Sequence, residues 1–350
     1  MDAELFPTPF QREILAKIRS AVQYWQDHTC LSFQENGYSK PVIQFIRFYS
    51  SGCRSDLGRR ADSPQQHINL GWDCDDFGTM VHEIGHSLGL YHEQSRYDRD
   101  RYLKIHLENV PNHLKSQFDI VDSSNTTTFG LPYDYGSIMH YDEFSGAVNS
   151  NFPSMEAIPD AMYQMTMGQN IKPSFLDLLK MNMLYNCLGR CNTVCQNSGF
   201  PNPKNCNSCI CPWGFGGDRC ERRHYGSNNT ATCGADLQAS ASWTTLRATL
   251  GVYSPLRRER HDECHWHIRA PQGRRVEIWI KEVGGKCSGM GGCPSFNVEF
   301  KVKRDFRLSG YRACCNSKLA RKMISSESEL AIISAYSQTA YDFEIAYRYN

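Results

Sequence analysis

Residues 81–100 read VHEIGHSLGLYHEQSRYDRD, and the fold of the first half of the chain turns on what this stretch is. Four histidines, His82, His86, His92 and, a little further on, His106, stand among acids with no evident core role. His82 and His86 are four apart, so on a helix both imidazoles leave one face and can reach one ion. Glu83 is offset from that face; it misses the ion but reaches water held there. Gly89 can take a left-handed conformation and end the helix. The chain then turns, and His92 can approach from another side. Three neutral imidazoles suit zinc and leave a position open for water. The ion lowers that water's pKa and polarises a scissile carbonyl, while Glu83 takes the proton and passes it on. HExxH alone arises by chance, and a lone helical histidine is ordinarily a surface or core residue. The extension HExxHxxGxxH multiplies independent requirements. His28, His67, His106, His113 and His140 lack such spacing and read as non-ligands.

The 350 residues suffice for more than one domain, and a formal net charge of +1 gives no reason to expect nucleic acid or an anionic membrane as partner. Sixteen cysteines, an even number in clusters, imply a secreted, oxidised chain with a disulfide framework. Sequons at Asn125 and Asn228 are glycosylation candidates fitting the same compartment. No apolar run is long enough to cross a bilayer. The opening MDAELFPTPF has neither the basic nor the apolar region of a signal peptide, so a processed or shortened form is expected.

The cysteines divide the chain in three. Cys30, Cys53, Cys74 and Cys187 are the only four in residues 1–187, a stretch large enough for its own core. Six follow within 191–220, a segment too small to fold on apolar burial alone, and the last six lie between Cys233 and Cys315. Residues 10–28 place Ile14, Ile18, Ala21, Val22 and Trp25 at helical spacing. KPVIQFIRF (40–48) is almost wholly apolar and predicts a central strand; QHINLGW (66–72), alternating Ile68, Leu70 and Trp72, predicts a half-buried one. SFLDLLKMNMLYNC (174–187) opens on a Ser-x-x-Asp capping signal, Ser174 with Asp177, and continues as helix. After Cys220 the pattern is alternation, at Val276/Ile278/Ile280, Val298/Phe300/Val302 and Tyr341/Phe343/Ile345/Tyr347, which predicts an all-β sandwich.

HEIGHSLGLYHEQSRYDRD resembles the signature of the astacin family of metzincin metalloproteases, HExxHxxGFxHEQxRxDRD, with Leu90 where Phe is usual. A second family motif is matched by YDYGSIMHY (133–141). SGCRSDLGRR (51–60) and MGQNIKPSFLDLLKMNMLYNC (167–187) also look like family segments, so the resemblance covers most of residues 10–188; Asn170, where Arg is usual after Gly-Gln, departs from it. The resemblance implies an α+β metzincin protease domain: an N-terminal part with a mixed sheet and the active-site helix, and a C-terminal part with the Met-turn and last helix. It implies zinc on His82, His86 and His92, Glu83 as general base, Met139 in a turn beneath the metal, and Tyr141 as a switchable further ligand. In that last role a phenol can both ligate and donate a hydrogen bond to an oxyanion. It also implies disulfides Cys30–Cys187 and Cys53–Cys74. In the family the residue matching Glu93 meets the buried mature N-terminus, and an Asp of the propeptide caps the zinc of the zymogen. Neither that N-terminal strand nor the propeptide is recognisable here, so Glu93 is expected to lack its partner.

Cys191, Cys195, Cys206, Cys209, Cys211 and Cys220 look like an EGF-like module, paired Cys191–Cys206, Cys195–Cys209 and Cys211–Cys220. A zinc reading of C-x2-C-x-C is the alternative. Residues 224–350 resemble a CUB domain through Cys233 and Cys264, VYSP (252–255), CHWHIRAP (264–271) and the strands. His265 and His267 read as alternating polar positions flanking Trp266. PSFN after Cys293 lacks the Asp of calcium-binding relatives, and the pairing of Cys287, Cys293, Cys314 and Cys315 is open. The domain order 1–188 protease, 189–223 EGF-like, 224–350 CUB-like, with GYRACC, looks like nematode members of the family. The expected function is that of a secreted zinc-dependent metalloendopeptidase with one zinc, cleaving extracellular, matrix or cuticle-like proteins, its two small modules making protein contacts. The alternative is an impaired, truncated homologue acting as an extracellular binding module.

Overall fold

The computed structural model describes residues 9–47, 50, 52–227, 233–251, 260–284, 291–314 and 319–350. Asn228, residues 252–255, Cys287 and Cys315 lie outside the described residues. The chain divides into two units between Tyr91 and His92.

In the first unit, helix α1 (Pro9–His28) buries Ile14, Ala21 and Trp25 along one stripe, the helical period that its sequence carries. Strands β1 (Val42–Arg47), β2 (Cys53–Ser55) and β3 (Gln65–Leu70) form a sheet in the order β1-β3-β2. β3 pairs in parallel with β1 and antiparallel with β2. The centre of this sheet is therefore β3, not the 40–48 strand. β1 lies at an edge with most side chains half-buried; an apolar run reports coverage of two faces, not the presence of two neighbours. In β3, Gln66, Ile68 and Leu70 are the buried set. Gln66 is satisfied by donating to Ser87 O and Oγ at 2.8 and 2.6 Å. Trp72 falls beyond the strand and is 63% exposed. Helix α2 (Phe77–Ser87) carries His82 and His86. Trp25 is fully buried, and its indole N–H donates to Val81 O at 3.0 Å, fixing α1 to this helix.

The second unit begins with 3₁₀ turns, followed by a small antiparallel pair, β4 (Leu103–Ile105) with β5 (Met155–Ala157). Helix α3 (Phe175–Leu184) comes next, and Ser174 with Asp177 forms a complete capping box at its start. The six-cysteine segment contributes two short hairpins, β6 (Phe200–Asn202) with β7 (Asn205–Ile210) and β8 (Phe215–Gly216) with β9 (Arg222–Arg223). Its disulfides are Cys191–Cys206, Cys195–Cys209 and Cys211–Cys220.

The remaining strands are β10 (Gly234–Gln238), β11 (Thr244–Leu250), β12 (Asp262–Arg269), β13 (Val276–Val283), β14 (Phe296–Lys301), β15 (Tyr311–Ala313), β16 (Met323–Ser325), β17 (Leu330–Ser337) and β18 (Tyr341–Tyr349). They make a five-stranded sheet, β10-β12-β17-β14-β15, and a four-stranded one, β11-β18-β13-β16. Trp266 and Phe343, from different sheets, meet edge to face at 5.4 Å. Disulfides join Cys233 to Cys264 and Cys293 to Cys314.

β14 is buried throughout, and His265 and His267 are each 1% exposed. The six-cysteine segment covers part of this sheet's outer face. His267 Nε2 meets Gly214 O at 2.9 Å, and the Lys301 ammonium donates to Trp213 O at 3.3 Å. Buried residues of 103–167 (Leu103, Phe118, Tyr133, Tyr163) and of the sandwich (Phe300, Tyr311, Ile345) belong to one continuous apolar core.

Candidate active site

Helix α2 is built by local signals. Asp76 caps it, accepting from Thr79 N–H at 2.9 Å and from Thr79 Oγ1 at 2.6 Å. Met80, Val81 and Ile84 anchor its inner face. Its end is equally explicit: Gly89 has φ +103°, and the N–H groups of Leu88, Gly89 and Leu90 return to Ile84, His86 and Gly85 carbonyls at 2.9, 2.8 and 2.9 Å, a glycine-terminated helix end. Leu90, 3% exposed, occupies an apolar position.

The outer face of α2 carries His82 and His86, whose rings meet edge to face at 4.6 Å. His86 Nδ1 is 2.7 Å from Leu90 O. Nδ1 is therefore the protonated nitrogen, and Nε2 keeps its lone pair for a metal. Burial, helped by the neighbouring His82, pushes the His86 imidazole down to about 3, so it is neutral at physiological pH. Glu83 is 4% exposed, its Oε2 is buried without a hydrogen-bond partner, and burial pushes its carboxyl up to about 8. A buried carboxyl oxygen left unpartnered calls for an explanation.

From His92 onward the chain is held by distant partners. Glu93 N–H donates to Met139 O at 2.9 Å, and Tyr141 N–H to Gln94 Oε1 at 3.1 Å, which lays residues 139–141 beside 92–94. The His92 and Tyr141 rings lie 4.4 Å apart, tilted by 56°. Met139 is 1% exposed. The turn that carries it hangs on Asp177: this capping carboxylate also accepts from Ser137 Oγ at 2.6 Å and from Ile138 N–H at 2.8 Å. His140 is buried between Tyr133 OH (2.7 Å) and Tyr141 O (2.6 Å).

Glu93 does not lack a partner. Its carboxylate takes Lys180 Nζ at 2.6 Å, Arg96 Nη1 at 2.8 Å and Asp134 N–H at 3.2 Å. Burial would raise this carboxyl; the charges of Lys180 and Arg96 outweigh that and hold it below its ordinary value. No local pattern announces the pair, because Lys180 lies 87 residues along the chain.

Among the described residues three groups could hold a metal ion. In the first, His82, His86 and His92 each bring one ligand atom within 4.8 Å of the others, His92 being the residue next to Tyr91. The second, Cys53 with Asp73 and Cys74, is a disulfide, Cys53–Cys74. The third, His224 with Glu263 and His265, already has a cation: Lys172 Nζ lies 2.7 Å from Glu263 Oε2. His28, His67, His106, His113 and His140 belong to none of them; His106 instead bridges Glu108 and Glu156 at 2.9 and 3.1 Å. Cys30 and Cys187 are both disulfide-bonded. Asn125 sits in an exposed turn.

Residues 6–186 match the model of the astacin peptidase family. Zinc metalloproteinase nas-29 of Caenorhabditis elegans is 37% identical over 345 residues, 98% of this chain and 62% of that protein. Zinc metalloproteinase nas-27 of the same organism is 37% identical over 359 residues, 98% of this chain and 81% of that protein. A solved structure, High choriolytic enzyme 1, a hatching enzyme zinc-protease from Oryzias latipes, aligns with 32% identity and a TM-score of 0.46 over 50% of this chain and 83% of its own. The chain thus spans 62% of the length of one curated relative and 81% of another. The histidine grouping, the orphaned Glu83 oxygen and a match over residues 6–186 converge: this chain belongs to the astacin family of peptidases.

Proposed function

We propose that the chain is a secreted zinc-dependent endopeptidase that hydrolyses extracellular proteins. The observation carrying this reading is the grouping of three imidazoles with a buried, unpartnered carboxylate oxygen beside them. His82, His86 and His92 would hold one zinc, with Tyr141, whose ring packs on that of His92, as a further, releasable ligand over Met139. The residues fit the metal by chemistry: three imidazoles, of which His86 is neutral and oriented by Leu90 O. When bound, zinc supplies a Lewis acid that makes water acidic and polarises a carbonyl. Glu83 takes the proton of the attacking water through its free oxygen and delivers it to the leaving amine. The Tyr141 phenol donates a hydrogen bond to the developing oxyanion.

In this reading residues 1–188 are the protease domain, 189–223 an EGF-like module and 224–350 a CUB-like one. Cys30 pairs with Cys187, and Asn125 and Asn228 are glycan acceptors. The disulfides support an oxidising compartment. No helix among the described residues is long and apolar enough to cross a membrane. The small modules would direct the enzyme to protein substrates. Retention of all three imidazoles with Glu83 is what favours catalysis over a binding-only homologue. Cleavage of a denatured protein, with and without a zinc chelator and beside Glu83→Ala, tests it. Chelator-sensitive cleavage absent from Glu83→Ala is expected; equal rates in every arm would overturn the assignment.

A further inference from the structure

We propose that the C-terminal sandwich clamps the segment 134–142 at both ends and so positions Met139 and Tyr141 for the reaction; this rests on the endopeptidase reading above. One jaw is the run Ser309–Arg312. Ser309 N–H donates to Asp134 Oδ1 at 3.2 Å. Gly136 lies so close to this run that a Cβ there would stand 2.4 Å from the Ser309 side chain. Thr166, packed at the same spot, donates through Oγ1 to Gly310 O at 3.0 Å and accepts from Arg312 N–H at 3.1 Å. Tyr311 OH donates to Asp160 Oδ2 at 2.5 Å.

The other jaw is Gly291–Gly292. A Cβ on Gly291 would stand 2.7 Å from Asp142 Cβ, and one on Gly292 2.1 Å from Gly168 O. Gly168 is itself pressed on Asp142, the residue after Tyr141. Only glycine admits backbones this close. The jaws are tied together: Cys293, next to Gly292, is disulfide-bonded to Cys314, two residues after Arg312. This disulfide thus joins the two contacts that bracket Tyr141.

The clamp differs from ordinary packing in where it acts. Asp134 Oδ1, held by Ser309 N–H, also receives Gly136 N–H at 3.2 Å. Asp134 N–H in turn donates to Glu93, whose own N–H donates to Met139 O. Displacing Ser309–Arg312 therefore shifts the turn under Met139 and the ring of Tyr141, not merely the sandwich surface. Such misplacements cost rate more than affinity.

The test uses the full chain and leaves the proposed ligands and base intact. In Thr166→Val, which keeps the shape and loses both Oγ1 hydrogen bonds, kcat should fall about tenfold with KM within about twofold, and Thr166→Ser should restore it. Amide hydrogen exchange over 138–141 should quicken in Thr166→Val and in Cys293→Ala/Cys314→Ala, with exchange in α2 unchanged. If exchange over 138–141 stays at the wild-type rate in both folded variants, the clamp is overturned, whatever the activity. Unchanged kcat in Thr166→Val beside an active wild type overturns it as well. A wild type that cleaves nothing, with the exchange result as expected, overturns the endopeptidase reading and leaves a clamp without that reaction to serve.

Discussion

The helix that carries His82 and His86 and the segment that carries Met139 and Tyr141 reach order by opposite routes. Helix α2 is written in its own sequence: a capping Asp76, an apolar inner face and a terminating Gly89 within fourteen residues. The 133–142 segment has neither helix nor strand. It borrows order from Asp177, Glu93, Lys180 and the sandwich. Half of the proposed site is thus specified locally, while the other half depends on residues far along the chain.

The largest expected effect tests what the two regions are for. Glu83→Ala should lower kcat/KM by about a thousandfold or more, with metal content measured on the same sample unchanged; loss of zinc along with activity would mean that Glu83 has a structural role instead. Next is Glu93→Gln, which removes the buried carboxylate that Lys180 and Arg96 share, leaving Arg96 only Asp98 as ionic partner, and should destabilise the fold by about 3 kcal/mol at neutral pH. The sign with pH follows from a carboxyl held below its ordinary value of 4.5. Its contribution is complete above that pH and drains away as pH falls through the lower, folded value. Thermal melts from about pH 6 to about pH 3 should therefore show a steeper acid loss in the wild type than in Glu93→Gln.

A smaller effect is expected of Ser137→Ala, which removes the hydroxyl between Asp177 and Met139 N–H. A loss of about 1–2 kcal/mol in denaturant titrations is expected, with kcat reduced. Least of all, Asp76→Ala should cost about 1 kcal/mol through the lost cap, with kcat nearly unchanged. Were Asp76→Ala to cost more than Glu93→Gln, the contrast between a locally written helix and a borrowed turn would be wrong.

What the sequence shows tracks the same division. The helix, its end at Gly89 and the three imidazoles are legible from spacing, because period and capping are local properties. Met139 and Tyr141 carry no local signal and stand out only through resemblance of YDYGSIMHY to a family motif. Glu93 reads as short of a partner because the resemblance assigns it an N-terminus not recognisable here, and Lys180, 87 residues away, has no pattern tying it to this carboxylate. β1 reads as central because apolar content does not count neighbours. His265 and His267 read as alternating polar positions, and alternation within one strand says nothing of the six-cysteine segment laid over His267.

The shared apolar core has a consequence for synthesis. Residues such as Tyr133 and Tyr163 are buried with Phe300, Tyr311 and Ile345, and Thr166 waits for Arg312, 146 residues later. At typical translation speeds that interval is on the order of 10 s. During it the nascent chain holds the histidine-bearing helix but not the strands that enclose the turn bearing Tyr141. A chain ordered in this way completes the enclosure of that turn only as its last strands emerge.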